Sequence, residues 1–159
     1  MTAVREASAT RTAARLNIHA SCVAIDGAGV LLRGPSGSGK SDLTLRLIDG
    51  GAMLVADDRV DLYRQGDRLV AAPPPALAGL VEAVGIGPLE VPHRPDIVVG
   101  LIIDLVPADT VERLPSSSEE TLLGVALPRF SLHAFGISTP AKVRLLARGS
   151  RIVMEPRTR

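Results

Sequence analysis

The chain has no tryptophan, one tyrosine (Tyr63), two phenylalanines and one cysteine, Cys22. A single thiol excludes an internal disulfide and a Cys-rich zinc site, and fits a reducing compartment. Single-strand nucleic-acid binders stack bases on aromatics, and nucleic-acid proteins in general carry a basic excess for the phosphates. Here 18 Lys+Arg stand against 17 Asp+Glu, a net charge of +1 with three neutral histidines, so no nucleic-acid partner is expected. No apolar run approaches the roughly 20 residues that cross a bilayer, so no membrane partner is expected either. The start carries Arg5, Arg11 and Arg15 among small residues but lacks the apolar stretch of a secretory signal. Residues 1–15 read as a flexible N-terminal tail, with an organelle transit peptide as the alternative, and the expected location is cytoplasmic. Internal repeats are absent too, and the only biased block is Pro73-Pro74-Pro75.

What remains is a chain of 159 residues, 46% hydrophobic against 22% charged, enough for one packed domain over residues 16–150 and a short C-terminal tail, 151–159. His19 to Ile25 reads as a strand, Asp26-Gly27-Ala28-Gly29 as turn chemistry, and Gly29 to Arg33 as the returning strand of a hairpin. Residues 41–49 mix helical and alternating periods, but the Gly50-Gly51 stop favours a helix. Short strands follow at Met53–Ala56, Val60–Tyr63 and Arg68–Ala71, the last two joined at Gln65-Gly66-Asp67. Pro73 to Pro95 reads as irregular surface chain, broken by Gly85, Gly87, Pro88 and Pro92. Ile97 to Leu105, nearly all apolar between two prolines, reads as a strand buried on both faces. Ser116 to Glu120 reads as exposed loop, and a C-terminal helix is expected to start near Thr139. The class is α/β with a hairpin-rich mixed sheet.

Chemistry concentrates at Gly34-Pro35-Ser36-Gly37-Ser38-Gly39-Lys40-Ser41, the phosphate-loop pattern Gly-x4-Gly-Lys-Ser/Thr between an expected strand and helix. Glycines let successive N–H groups turn around a phosphate, and the following helix aims its positive end at the same anion. Lys40 then reaches the β/γ oxygens and the Ser41 hydroxyl is placed for Mg²⁺. No Asn/Thr-Lys-x-Asp motif follows, which argues against a GTPase, and no arginine-rich lid marks a small-metabolite kinase. Asp104, closing Leu101-Ile102-Ile103, could imitate the acid that ends a long apolar strand in motor ATPases, or could merely cap the strand. Val55-Ala56-Asp57-Asp58 is more telling: side chains alternate along a strand, so adjacent acids face opposite sides, and one can take the hydroxyl proton of a phosphoryl acceptor.

These pieces, in this order, resemble the catalytic domain of HPr kinase/phosphorylase, a bacterial protein-serine kinase with a P-loop, phosphoenolpyruvate-carboxykinase-like core. Ile18-His19-Ala20 resembles the family's Ile-His-Gly, residues 34–42 its phosphate loop, and Leu54 to Val60 its Leu-Val-Ala-Asp-Asp-x-Val. Leu80 to Gly87 is similar to its Leu-x-Glu-x-Arg-Gly-x-Gly signature, and Val111-Glu112-Arg113-Leu114 to the loop supplying a catalytic arginine. The match runs over residues 16–130. The resemblance implies ATP and Mg²⁺ as cofactors and an HPr-like phosphocarrier protein as substrate, in a homo-oligomer. Asp58 would be the base, and the acid in a reverse reaction in which inorganic phosphate yields pyrophosphate; His19 would orient it. Lys40 and Arg113 would neutralise the transferring phosphoryl group, and Ser41 and Glu82 would hold Mg²⁺. Asp57 would be structural, although sequence leaves open which aspartate is the base. From the residues alone, His19 could equally bond a backbone group and Glu82 could be a surface carboxylate.

The departures are specific. Residues before the first strand are too few for the family's N-terminal domain, as in the short form of some proteobacteria. Val84 replaces the signature arginine. The basic Pro-x-Arg-Pro-Gly-Arg segment tied to phosphorolysis survives only as Arg129 in Leu127-Pro128-Arg129-Phe130. A nucleotide-sensing module and a small-metabolite P-loop kinase are the alternatives.

Overall fold

A computed structural model describes residues 15–153. The expected tails at 1–15 and 151–159 lie outside them, apart from Arg15, which opens the first strand, and the irregular 151–153. The elements run β1 (Arg15–Ile25), β2 (Ala28–Arg33), α1 (Lys40–Asp49), β3 (Met53–Ala56), β4 (Arg59–Gln65), β5 (Arg68–Ala72), β6 (Leu80–Ala83), β7 (Gly87–Glu90), β8 (Ile97–Leu105), β9 (Glu119–Leu122), β10 (Val125–Leu132) and α2 (Thr139–Ala147).

Pairing closes a ring. β1 runs antiparallel to β2 and β4, β4 to β5, and β5 to β8, while β8 returns to lie parallel to β2. β10 then adds to β8 in parallel and carries β9 on its far edge. Alternation along these strands divides the apolar residues into two cores. Ala20, Cys22, Leu31, Val60, Leu62, Leu69, Val99 and Ile102 fill one side. Val23, Val30, Leu32, Leu101, Ile103 and Leu105 face the other, where Leu43 and Leu47 of α1 and Val143 of α2 cover them. In β8 the inward residues shift from odd to even numbers across Gly100. The β2–β8 register skips that residue, with Gly29 opposite Val99 and Val30 opposite Leu101. One extra residue, a β-bulge, therefore turns the strand's second half over and lets it serve both cores.

Two expectations need correction. The segment 73–95 is not wholly irregular, because β6 and β7 form a hairpin, Val81 and Ala83 buried and Leu80 and Glu82 outward. Its glycines turn the hairpin, with φ of +92° at Gly85 and +114° at Gly87, rather than breaking structure. Likewise the loop expected to last to Glu120 ends earlier, since Glu119 opens β9. β9 and β10 join through Leu123 and Gly124, both at positive φ (49° and 82°), as a tight two-residue hairpin turn requires. Pro128 obscured β10 in the sequence; it faces Glu119 in the outermost pair, where a missing N–H costs little.

Candidate functional site

The site sits where β2 ends. Gly34 to Gly39 leave the strand, Ser38 N–H closes a turn on the Pro35 carbonyl at 3.0 Å, and Gly37 and Gly39 take φ of +84° and +99°. A Cβ on Gly34 would stand 2.5 Å from the Ser38 hydroxyl and 3.1 Å from the Leu105 carbonyl, so glycine is required there. α1 begins with Gly39 as N-cap and no side chain capping it, which leaves the first N–H groups facing the loop. Its buried face, Lys40, Leu43, Thr44 and Leu47, has the i, i+3, i+4, i+7 spacing of an amphipathic helix. The alternating pattern seen in the sequence came from Leu45, on the half-buried flank. The Lys40 ammonium bends over the loop and donates to the Gly34 carbonyl at 2.7 Å and to Pro35 at 3.4 Å. The Ser38 hydroxyl is buried without a hydrogen-bond partner among the described residues.

On one flank of the loop, β3 and β4 both lie along β1, and Asp57 and Asp58 form the kink between them. Asp58 takes φ of +70°, a conformation rare outside glycine but tolerated by Asp and Asn. That kink separates the two carboxylates. Asp57, 8% exposed, accepts from Ser21 Oγ at 3.0 Å, Ser41 Oγ at 3.1 Å and the Glu82 N–H at 3.1 Å. Asp58, with 62% of its side chain exposed, lies 2.6 Å from His19 Nε2. His19 therefore bonds a carboxylate rather than a backbone group. Ser21 links the pair, because its hydroxyl also accepts from the Asp58 N–H at 3.1 Å.

Of the residues singled out in the sequence, the structure gathers His19, Lys40, Ser41, Asp57, Asp58 and the backbone of Glu82. Glu82's own side chain points outward on β6. Val84, where the family signature has arginine, is 98% exposed at the tip of the β6–β7 hairpin. Arg113 is elsewhere, on the exposed loop 111–118. It lines a cavity of about 660 Å³ with Arg129, Lys142, Ser116 and Ser117, and makes no hydrogen bond or ion pair among the described residues.

Asp104 is not the acid that meets the loop serine; Asp57 is. Arg33, the last residue of β2, holds Asp104 through two bonds of 2.8 and 3.1 Å and Glu120 through two of 2.7 and 2.6 Å. Arg129 joins at 3.4 Å from Glu120 and 3.5 Å from Asp104. The Arg33 hydrogen bonds hold the Glu120 carboxyl below the usual range, and Glu120 in turn raises the Arg33 guanidinium. The sequence carries no local sign of this four-charge cluster, since its members lie on β2, β8, β9 and β10. Nor did it reveal Ser21, although the alternation of β1 puts position 21 beside the aspartate kink.

Comparison with known proteins fits this geometry. Residues 10–134 match the family model described as HPr Serine kinase C-terminal domain. The chain is 37% identical over 146 residues to the HPr kinase/phosphorylase of Lacticaseibacillus casei strain BL23, covering 84% of this chain and 44% of that protein. Over 82 residues it is 46% identical to the HPr kinase/phosphorylase of Enterococcus faecalis, 51% of this chain and 26% of the other. The chain thus spans less than half the length of these curated relatives. A solved structure of the Hpr(Ser) kinase/phosphatase from Coxiella burnetii is similar with a TM-score of 0.75 and 31% identity, covering 84% of this chain and 94% of that one.

Proposed function

Because the chain belongs to the HPr serine kinase C-terminal domain family, we propose that it is an ATP- and Mg²⁺-dependent kinase acting on a serine of an HPr-like phosphocarrier protein. The observation that carries this reading is the division of labour between the two aspartates. Asp57 is buried against the loop serine, while Asp58 is held by His19 and open to solvent. An exposed base beside the phosphate loop suits a hydroxyl delivered on another protein's surface. A kinase of small metabolites would enclose its acceptor to exclude water.

In this reading Gly34, Pro35, Ser36, Gly37, Ser38 and Gly39 form the phosphate loop, their N–H groups and the start of α1 receiving the nucleotide's phosphates. The partnerless Ser38 hydroxyl is one further donor, and Lys40 would exchange the Gly34 carbonyl for phosphate oxygen. Ser41 and Asp57 would hold Mg²⁺; of Glu82, expected beside Ser41 at the ion, the structure brings only the backbone N–H to Asp57. No group of three or more His, Cys, Asp or Glu side chains is assembled as a metal cage among the described residues. Mg²⁺ takes hard oxygen donors and is usually held by one or two carboxylates together with substrate phosphates and water. When bound, the ion supplies neutralisation of phosphate charge.

The acceptor serine's Oγ attacks the γ-phosphorus in line. The Oγ–P bond forms, the bond to the ADP oxygen breaks, and the serine proton passes to the Asp58 carboxylate. His19 fixes that carboxylate's orientation. Lys40 would balance the charge that accumulates on the transferring group, while Arg113 lies apart on the 111–118 loop. Run backward, inorganic phosphate attacks phosphoserine, pyrophosphate forms, and protonated Asp58 returns its proton to the serine oxygen. Arg129, the arginine left of the phosphorolysis segment, is engaged by Asp104 and Glu120. A homo-oligomeric, cytoplasmic enzyme completes the reading.

The test is transfer of labelled γ-phosphate from ATP, with Mg²⁺, to the HPr-like protein of the same organism. Label on serine with the parent chain and none with Asp58→Asn is the expected result. ATP binding without transfer to any carrier would select the nucleotide-sensing module instead.

A further inference from the structure

We propose that the exposed ring of Phe135 is the platform on which the base of a bound purine nucleotide stacks. The inference rests on the nucleotide-binding reading above and adds to it the location of the nucleoside end.

Strand order fixes the direction. Along the edge where β3, β2, β8 and β10 end, the neighbours run from β3 through the antiparallel β1 and β2 to β8 and β10. The glycine-rich loop crowns β2. Asp57 and Asp58 follow β3, on one flank, and the phosphoryl acceptor must stand there to meet the Asp58 carboxylate. The terminal phosphate therefore points toward β3, and the nucleoside extends the opposite way, over β8 and β10, about 10 Å off at the usual spacing between strands.

The segment leaving β10 is His133-Ala134-Phe135, and it folds back onto the loop. A Cβ built on Gly39 would lie 2.6 Å from Ala134 Cβ and about 3 Å (2.9 and 3.1 Å) from two carbons of the Phe135 ring. The ring thus rests against the residue that caps α1. It remains 56% exposed. This exposure is not that of a loose loop. Arg46 donates to the Ala134 carbonyl, Thr139 Oγ1 donates to the His133 carbonyl at 2.6 Å, and Gly136 N–H donates to the same oxygen at 3.2 Å. From behind, the His133 ring meets Phe135 edge-on, with centroids 5.8 Å apart and planes at 68°. The result is a fixed aromatic surface at the nucleoside end of the loop, one of three aromatic rings of Phe, Tyr or Trp type in the whole chain.

Stacking has a defined signature. It acts on the base and not on the phosphates, and because every base has a π-face it discriminates weakly between purines. The chosen measurement is equilibrium binding, by calorimetry, of ATP, GTP and inorganic tripolyphosphate with Mg²⁺ to the parent chain and to Phe135→Ala, Phe135→Leu and Phe135→Tyr. Expected is a loss of about tenfold or more in ATP and GTP affinity for Phe135→Ala, a smaller loss for Phe135→Leu, and near-parent affinity for Phe135→Tyr. Tripolyphosphate affinity should be the same in all four proteins. Equal loss for tripolyphosphate would overturn the proposal, because the ring would then be supporting Gly39 and the loop. Unchanged ATP affinity in Phe135→Ala would overturn it by placing the base elsewhere. If tripolyphosphate binds the parent but ATP gains nothing over it, the stacking fails while the phosphate loop stands. If neither binds, the nucleotide reading itself is wrong and the platform falls with it.

Discussion

Replacing Ser21 by alanine should damage both stability and transfer, because one buried hydroxyl holds the two aspartates in their opposed positions. Ser21 is 0% exposed; it donates to Asp57 Oδ1 at 3.0 Å and accepts from the Asp58 N–H at 3.1 Å. Asp57 would keep its bonds from Ser41 and the Glu82 N–H, so its loss is one charge-assisted bond, about 1.5 kcal/mol. The Asp58 N–H would have no other partner in a half-buried kink, which adds about 1–2 kcal/mol. The total, about 3 kcal/mol, corresponds to a fall in Tm of about 6–12 °C for a chain of this size. Relaxation of the kink would also swing the Asp58 carboxylate away from His19, so the rate of phosphoryl transfer should fall more than ATP affinity does. Calorimetric melting and a kcat-against-KM comparison for Ser21→Ala test this, with Ser21→Thr as the variant that retains the hydroxyl. A Tm within 2 °C of the parent (well below the range worked above), together with parent-level kcat, would refute the linkage.

Asp58→Asn should fold at least as well as the parent, since Asn adopts positive φ as readily as Asp, yet lose transfer by about a hundredfold or more; circular dichroism beside the labelling assay separates the two effects. Gly39→Ala should cost about 2 kcal/mol or more, because φ of +99° and a Cβ 2.6 Å from Ala134 both oppose the side chain; a denaturant titration measures it. Burial pushes the Cys22 thiol up to about 12, so it should not react with a thiol reagent at pH 8 until the chain unfolds. The unfolded thiol ionises near its ordinary value of 9.0 while the folded one does not, so this group lowers stability as pH rises from about 9 toward 12. Glu120 has the opposite sign. Its carboxyl is held down by Arg33, so its contribution is present above the ordinary carboxylate range and is lost as pH falls through its folded value; Glu120→Gln should flatten the acid limb of the stability profile.

How much of this was readable beforehand depended on how local the signal was. β2, the glycine loop, α1, β3 and β8 announce themselves by spacing within ten or so residues, and each forms where the pattern puts it. The glycine-rich loop and the Asp57–Asp58 pair stand out in the sequence for the same reason. The β6–β7 hairpin is hidden because its glycines, Gly85 and Gly87, read as interruptions when strand alternation is short, and the β9–β10 hairpin because Pro128 interrupts the short strand pattern. The partners that separate Asp104 from Asp57 are not visible locally: Arg33 holds one and Ser41 bonds the other. Asp58's geometry was beyond reach as well. Alternation says that neighbouring acids part; only the kink against Ala20 and Ser21 says which one is buried.

The position of β8 in the ring sets the order in which the chain can become whole. β1 to β5, residues 15–72, pair among themselves and need no later residue to do so. They leave β2 and β5 as two unsatisfied edges facing one gap, and β8, arriving some 25 residues after β5 ends at Ala72, fills it by bonding parallel to one and antiparallel to the other. It works as a keystone. A product ending near residue 95 would hold the whole glycine loop and both aspartates but expose two strand edges and the apolar insides of both cores, and self-association rather than a smaller soluble domain is the expected fate. Any attempt to cut this chain down to its glycine loop and aspartate pair has to carry β8 along.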